Sequence, residues 1–190
     1  TLGDGGHTEF ILKNTGPKTR VLGIDRDLSA IERARERLQP FRDRVIFAHG
    51  PLENLRDLAE QSAVTKITGL LLDFGVSSPQ LDTPERGFSI RHDGPLDMRM
   101  DSSQTTTAAN LLEKLKDVEL VSIIKNFGEE RFAKRIVRAI RREQAERPIV
   151  TTSHFAEIIS RVVRSPKHSR IHPATKTFQA LRIAVNNELE

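Results

Sequence analysis

The sequence predicts an α/β fold with a parallel sheet, and three observations in its first 73 residues carry that prediction. Short apolar runs at 21–24, 45–47 and 67–73 alternate with stretches whose apolar residues recur at helical spacing. Two of the strand-like segments end in a carboxylate, at Asp25 and Asp73. A glycine-rich turn, Thr1-Leu2-Gly3-Asp4-Gly5-Gly6-His7, stands directly before a first helix at 8–13.

Taken in order, Val21-Leu22-Gly23-Ile24 reads as a buried parallel strand ending at Asp25. Asp27 can cap the helix that follows, whose Leu28, Ile31, Ala34 and Leu38 share a face, and Pro40 stops it. Val45-Ile46-Phe47 gives a second strand, and Leu52, Leu55, Leu58 and Ala59 mark a further helix. Residues 67–73 give a third strand. The rhythm breaks at 74–103, where Pro79, Pro84, Gly87, Gly94 and Pro95 leave no sustained period, so a long loop is expected, functional or disordered. Helical patterning then returns at 108–115, 118–127, 129–146 and 153–164, and His172-Pro173 opens a last helix. The expected division is an α/β domain at 1–104 and 171–190, interrupted by a helical insertion at 105–170.

Composition excludes several classes. There is no cysteine, hence no disulfide and no thiolate metal site, which fits a reducing compartment. No run of 18 apolar residues occurs, so no membrane partner is expected, and the opening residues do not read as a secretory signal. The net charge of +4 is unevenly placed: residues 105–173 hold 14 basic and 8 acidic side chains, the remainder 16 and 18. The basic surplus therefore sits in one internal segment, as in a polyanion-facing part joined to a near-neutral one.

Asp25 lies 19 residues after Gly6, near the offset at which a strand-end carboxylate accepts hydrogen bonds from a ribose. It also reads as a plain polar strand terminus. The spacing fits a nicotinamide or a methyl-donor cofactor, although the turn departs from the G-x-G-x-x-G of dehydrogenases. In an open sheet, ligands bind beyond the carboxyl ends of strands, so the turn, Asp25 and Asp73 should converge on one crevice. His168 and His172 are four apart but lack a third ligand, and Asp93, Asp97 and Asp101 fall in a loop, so no metal is expected.

Longer strings carry a resemblance. Gly5-Gly6-His7, Asp25-Arg26-Asp27, Leu71-Leu72-Asp73, Gly75-Val76-Ser77-Ser78-Pro79-Gln80-Leu81-Asp82, Glu85-Arg86-Gly87-Phe88-Ser89, Asp93-Gly94-Pro95-Leu96-Asp97-Met98-Arg99-Met100, Gly128-Glu129-Glu130-Arg131 and the run from His172 to Ile183 resemble the bacterial small-subunit ribosomal RNA cytosine-N4 methyltransferases (RsmH, also called MraW). The resemblance covers essentially the whole chain, in order. It implies a class I, Rossmann-like, S-adenosylmethionine-dependent methyltransferase with an inserted helical domain for RNA recognition. It further implies methylation of the exocyclic N4 of a cytidine in 16S ribosomal RNA of the small subunit, in the bacterial cytoplasm or an organelle, with a homodimer left open. The implied donor contacts fall on Gly5, Gly6, His7, Asp25, Leu52, Asp73 and Gln80. Leu52 stands where the family often has Phe, and Phe74 where Leu is usual. Against the family, the chain looks like a fragment lacking an N-terminal strand and the C-terminal third, so a catalytically incomplete RNA-binding piece is the alternative.

The amino group of cytosine is a poor nucleophile, because its lone pair is delocalised into the ring. A catalyst must align it and accept hydrogen bonds from its N–H groups. Asp73, or the turn at Ser78 and Pro79, is the candidate acceptor, where related amino-methyltransferases carry a short Pro-Pro-aromatic turn. Phe88 reads either as a core ring or as a stacking partner for an unstacked base. Arg131, Arg135, Arg138 and Arg142 line one side of a helix whose other side holds Phe132, Ile136 and Ile140. Such a stripe is a solvated face or, given the local basic surplus, a set of phosphate contacts.

Overall fold

The computed structural model describes residues 1–163 and 171–189. The chain packs as two compact units, one formed by 1–77 with 100–102, the other by 78–99 with 103–190. It mixes helix and sheet, as expected, though with less sheet than the apolar runs suggested.

The first unit opens with helix α1 (Gly6–Lys13) and continues as strand β1 (Val21–Asp25), helix α2 (Leu28–Arg37), strand β2 (Val45–His49) and helix α3 (Leu55–Gln61). β1 and β2 pair in parallel, with Asp25 opposite His49. Asp27 caps α2 as the sequence predicts, its carboxylate accepting from the Ser29 amide at 3.0 Å, an arrangement worth about 1 kcal/mol. Pro40 sits at the start of a 3₁₀ segment (Gln39–Arg44) that takes over where α2 ends. The core under the sheet is small: Leu2, Leu12, Ile31, Ala34, Leu38 and Val45.

The third strand is not formed. Residues 67–73 have no strand pairing among the described residues, and Ile67, Leu70, Leu71 and Leu72 are all about half exposed or more. A strand exists only through a neighbour's backbone. Near the end of β1, the Leu2 amide already donates to Ile24 O at 2.8 Å. Thr1 then exchanges hydrogen bonds with the backbone of Asp73, accepting from its amide at 3.2 Å and donating to its carbonyl. The opening segment thus lies beside the end of β1.

The second unit contains helices α4 (Ser78–Asp82), α5 (Ala108–Lys114), α6 (Asp117–Asn126), α7 (Ala133–Gln144), α8 (Thr152–Val162) and α9 (Thr175–Asn186). The expected loop at 74–103 is ordered where it enters this unit. It carries α4 and a 3₁₀ turn (Pro84–Arg86), and it buries Phe88, Leu96 and Met98. Ala108 N donates to Asp97 O at 2.7 Å and Asn186 Nδ2 to Met98 O at 2.7 Å, so this stretch joins α5 to α9. Packing divides the chain after Ser77, and α9 lies with the helices, against α5 and α6. Gly128 makes that approach possible: a Cβ there would come within 2.3 Å of Lys176 O.

Helix α7 begins four residues later than its pattern suggests. Glu129 takes a left-handed backbone (φ 50°), and the buried Glu130 carboxylate accepts from Phe132 N at 2.8 Å, starting the helix only after that turn. The C-terminal part of the predicted 153–164 helix, Arg164, lies outside the described residues, as does His168. No helix among the described residues is long and apolar enough to cross a membrane.

Candidate functional site

In the first unit the glycine turn is fastened to the strand end by one carboxylate. Asp25 Oδ2 accepts from Gly3 N at 2.8 Å, and Asp25 Oδ1 accepts from Asp27 N at 2.9 Å. Gly5 adopts φ 79° as the residue before α1, a left-handed conformation that glycine enters without a Cβ penalty. A Cβ built on Gly3 would meet nothing within 4 Å, so that side of the turn is open. Gly6 begins α1, whose first turn has no side-chain cap.

Two further predicted residues gather here. His7 Nδ1 lies 3.5 Å from Asp73 Oδ2, with both side chains about two-thirds exposed. Leu52 starts a 3₁₀ turn (Leu52–Asn54) just past Gly50, whose amide donates to Asp25 O at 3.0 Å. Gly5, Gly6, His7, Asp25, Leu52 and Asp73 thus all belong to the end of this one small sheet.

Residues not singled out in the sequence support the turn from α2. Arg33 Nε donates to Asp4 Oδ1 at 2.9 Å, and Arg37 Nη1 donates to Asp4 O at 3.2 Å. Their spacing of four on one helix was a readable signal, but nothing in the sequence paired them with Asp4. His49, at the end of β2, faces Asp101 at 3.8 Å and bonds Arg26 O at 3.0 Å.

Ser78, Pro79 and Gln80 fall in the second unit, on α4, where Gln80 is 5% exposed. Phe88 is 6% exposed, which answers the choice left open in the sequence: it is a core ring, with too little surface to stack on a base. Asp93 caps α8, accepting from Ser153 N at 3.0 Å, and that bond with others from Ser153 holds its carboxyl below the usual range. Asp97 grips Arg99 through both oxygens at 2.7 Å. His172 Nδ1 accepts from Ala174 N at 3.1 Å, at the entry to α9. Among the described residues no group of three or more potential ligands is placed to hold a metal.

Arg131, Arg135, Arg138 and Arg142 are all exposed, and α7 buries Ile136, Val137 and Ile140 on its other side. Arg141, one residue from the stripe, does a different job: it donates to Leu112 O at 2.6 Å, to Asp117 Oδ1 at 2.7 Å and to Leu115 O, tying down the end of α5. Glu143 joins α7 to α8 by accepting from Arg147 and His154, each at 2.8 Å. Those bonds, Arg147 first, hold its carboxyl below the usual range.

The end of the sheet therefore offers an open glycine turn, helix-start amides and a carboxylate with lone pairs to spare. An ionised carboxylate has about four acceptor positions, and two of Asp25's are used.

Residues 1–190 match the MraW methylase family from end to end. The chain belongs to that family. It is 52% identical over 191 residues to the ribosomal RNA small subunit methyltransferase H of Trichlorobacter lovleyi, 49% over 193 to that of Nitrosomonas europaea and 46% over 190 to that of Thermobifida fusca. Each match covers all of this chain but 61%, 60% and 57% of the relative, so the chain spans about three fifths of the relatives' length. The family assigns a methyltransferase fold, and so gives the glycine turn its context.

Proposed function

We propose that the chain carries out, within its whole protein, S-adenosylmethionine-dependent methylation of the exocyclic N4 of a cytidine in 16S ribosomal RNA. The fold is read as a class I methyltransferase with a helical insertion at 105–170 for RNA recognition, acting in the cytoplasm on the small ribosomal subunit. A homodimer is compatible with this reading. The observation that carries it is Asp25, which fastens the glycine turn to the end of β1 through Gly3 N.

Gly5, Gly6 and His7 would bound the donor's amino-acid end, Asp25 its ribose and Leu52 its base. When bound, the donor supplies an electrophilic methyl group on a sulfonium. Asp73, or the Ser78-Pro79 turn, accepts hydrogen bonds from the cytosine amino group, which loosens its conjugation with the ring as attack begins. The exposed Arg131, Arg135, Arg138 and Arg142 would meet the RNA backbone.

A second reading has one observation in its favour. Residues 67–72 lie exposed, so the strand leading to Asp73 is unsupported. On that reading the chain binds RNA without turning over. Calorimetry with S-adenosylmethionine tests both: saturable heat that Asp25→Ala removes supports the first, and no heat at millimolar donor supports the second.

A further inference from the structure

We propose that Arg131 and Arg135, gathered on the ring of Phe132, form a stacking site for an unpaired RNA base, while Arg138 and Arg142 meet phosphates only. The inference rests on the RNA-directed reading above and refines it, dividing one basic stripe into two kinds of contact.

The guanidinium carbons of Arg131 and Arg135 lie 4.7 and 5.3 Å from the Phe132 ring centroid. The ring itself is only partly buried, and both arginines are exposed. Among the described residues no aromatic ring lies beneath Arg138 or Arg142. The stripe is therefore chemically uneven, although its charge is uniform.

The support under the ring is firm. Phe132 N is held by the buried Glu130 carboxylate, Glu129 O accepts from Lys176 Nζ at 3.1 Å, and Gly128 packs against the backbone of Lys176. These contacts fix the turn just before α7, so the ring is presented from a pinned backbone. Arginines resting on a fixed ring lose rotamer freedom before a ligand arrives, which lowers the entropic cost of binding.

Guanidinium is flat, delocalised and weakly hydrated, and it stacks on aromatic faces and on nucleobases alike. Its edge still donates to phosphate. A guanidinium pair on a ring thus fits a base splayed out of its stack, together with that nucleotide's own phosphate. Duplex RNA hides its bases and offers no such partner. A bare arginine on a helix, by contrast, is matched by phosphate in any strand.

The test uses the full 190-residue chain and changes geometry without changing charge. Binding of an unstructured RNA of about 12 nucleotides, carrying one 2-aminopurine, is followed by anisotropy and by base fluorescence. R131K/R135K should weaken binding about tenfold and abolish the quenching of 2-aminopurine, with the salt dependence unchanged. R138K/R142K should leave affinity within about twofold, and R138Q/R142Q should flatten the salt dependence. Phe132→Leu, with folding checked by its melting transition, should reproduce the loss seen in R131K/R135K. If R131K/R135K binds and quenches like the unaltered chain, the stacking site is overturned while the RNA reading stands. If the unaltered chain binds no RNA, both fall.

Discussion

The two units solve the problem of burying apolar surface very differently. Of the twelve largest fully buried side chains, ten lie in the second unit and only Leu12 and Leu38 in the first. The second unit closes its own core, with Phe155 against Phe178 at 5.4 Å and Leu112, Leu120, Ile136 and Leu181 sealed from water. The first leaves Ile67, Leu70, Leu71, Leu72 and Phe74 in solvent. Individual glycines differ between the units in what a Cβ would meet. Gly94 and Gly128 are there because backbone passes where a Cβ would stand, whereas Gly3 faces open space. Elsewhere in the first unit a Cβ at Gly5 or Gly23 would meet side chains only, Leu38 at 3.0 Å and Leu2 at 2.7 Å.

The sharpest way to break this comparison is Gly94→Ala. Its Cβ would fall 1.9 Å from Pro84 O, a backbone atom that cannot swing aside. A loss of about 3 kcal/mol or more in urea unfolding is expected. Gly3→Ala should cost only about 1 kcal/mol, from its positive φ of 52°. Equal losses at the two sites would erase the distinction.

Leu112→Ala should cost about 3 kcal/mol by leaving a cavity in a sealed core. The same truncation at Leu71, half exposed, should stay within about 0.5 kcal/mol. A large loss at Leu71 would mean that the apolar run is packed after all.

Asp27→Ala removes the cap of α2 and should cost about 1 kcal/mol. For Glu143 the prediction concerns pH. Its carboxyl is depressed in the folded state by Arg147 and His154, so its contribution is present above the ordinary carboxyl range and is lost as pH falls through the depressed value. The stability gap between the unaltered chain and Glu143→Gln should therefore be widest near neutral pH and close on acidification. A gap that stays constant between about pH 7 and about pH 3 would remove Glu143 as an acid-sensitive tie.

What the sequence made legible was local. The cap at Asp27, the stop at Pro40, strands starting at Val21 and Val45, and the helical stretches that form α5, α6 and α8 were all written in spacing and capping residues. The third strand was misread because apolarity reports what a segment would bury, not whether a neighbouring backbone is present to pair with it. The packing of Phe88, Leu96 and Met98 inside the loop expected at 74–103 was not legible, because prolines and glycines mark turns without showing whether those turns are buried. At the site, Asp25 was found by its offset from the glycines. Arg33 and Arg37 were missed because their partner, Asp4, is related to them only through the fold. Phe132 was placed in an apolar stripe, and its two guanidiniums emerge only from coordinates.

The exposed run from Ile67 to Phe74 has a consequence for handling the chain. Five apolar residues within eight positions, exposed and outside any strand pairing among the described residues, form a template onto which another molecule's strand can add. Lys66 and Asp73 are the charges that interrupt it. Solubility should therefore depend on those two side chains out of proportion to their place in the fold, and concentrated solutions should thicken first through this edge.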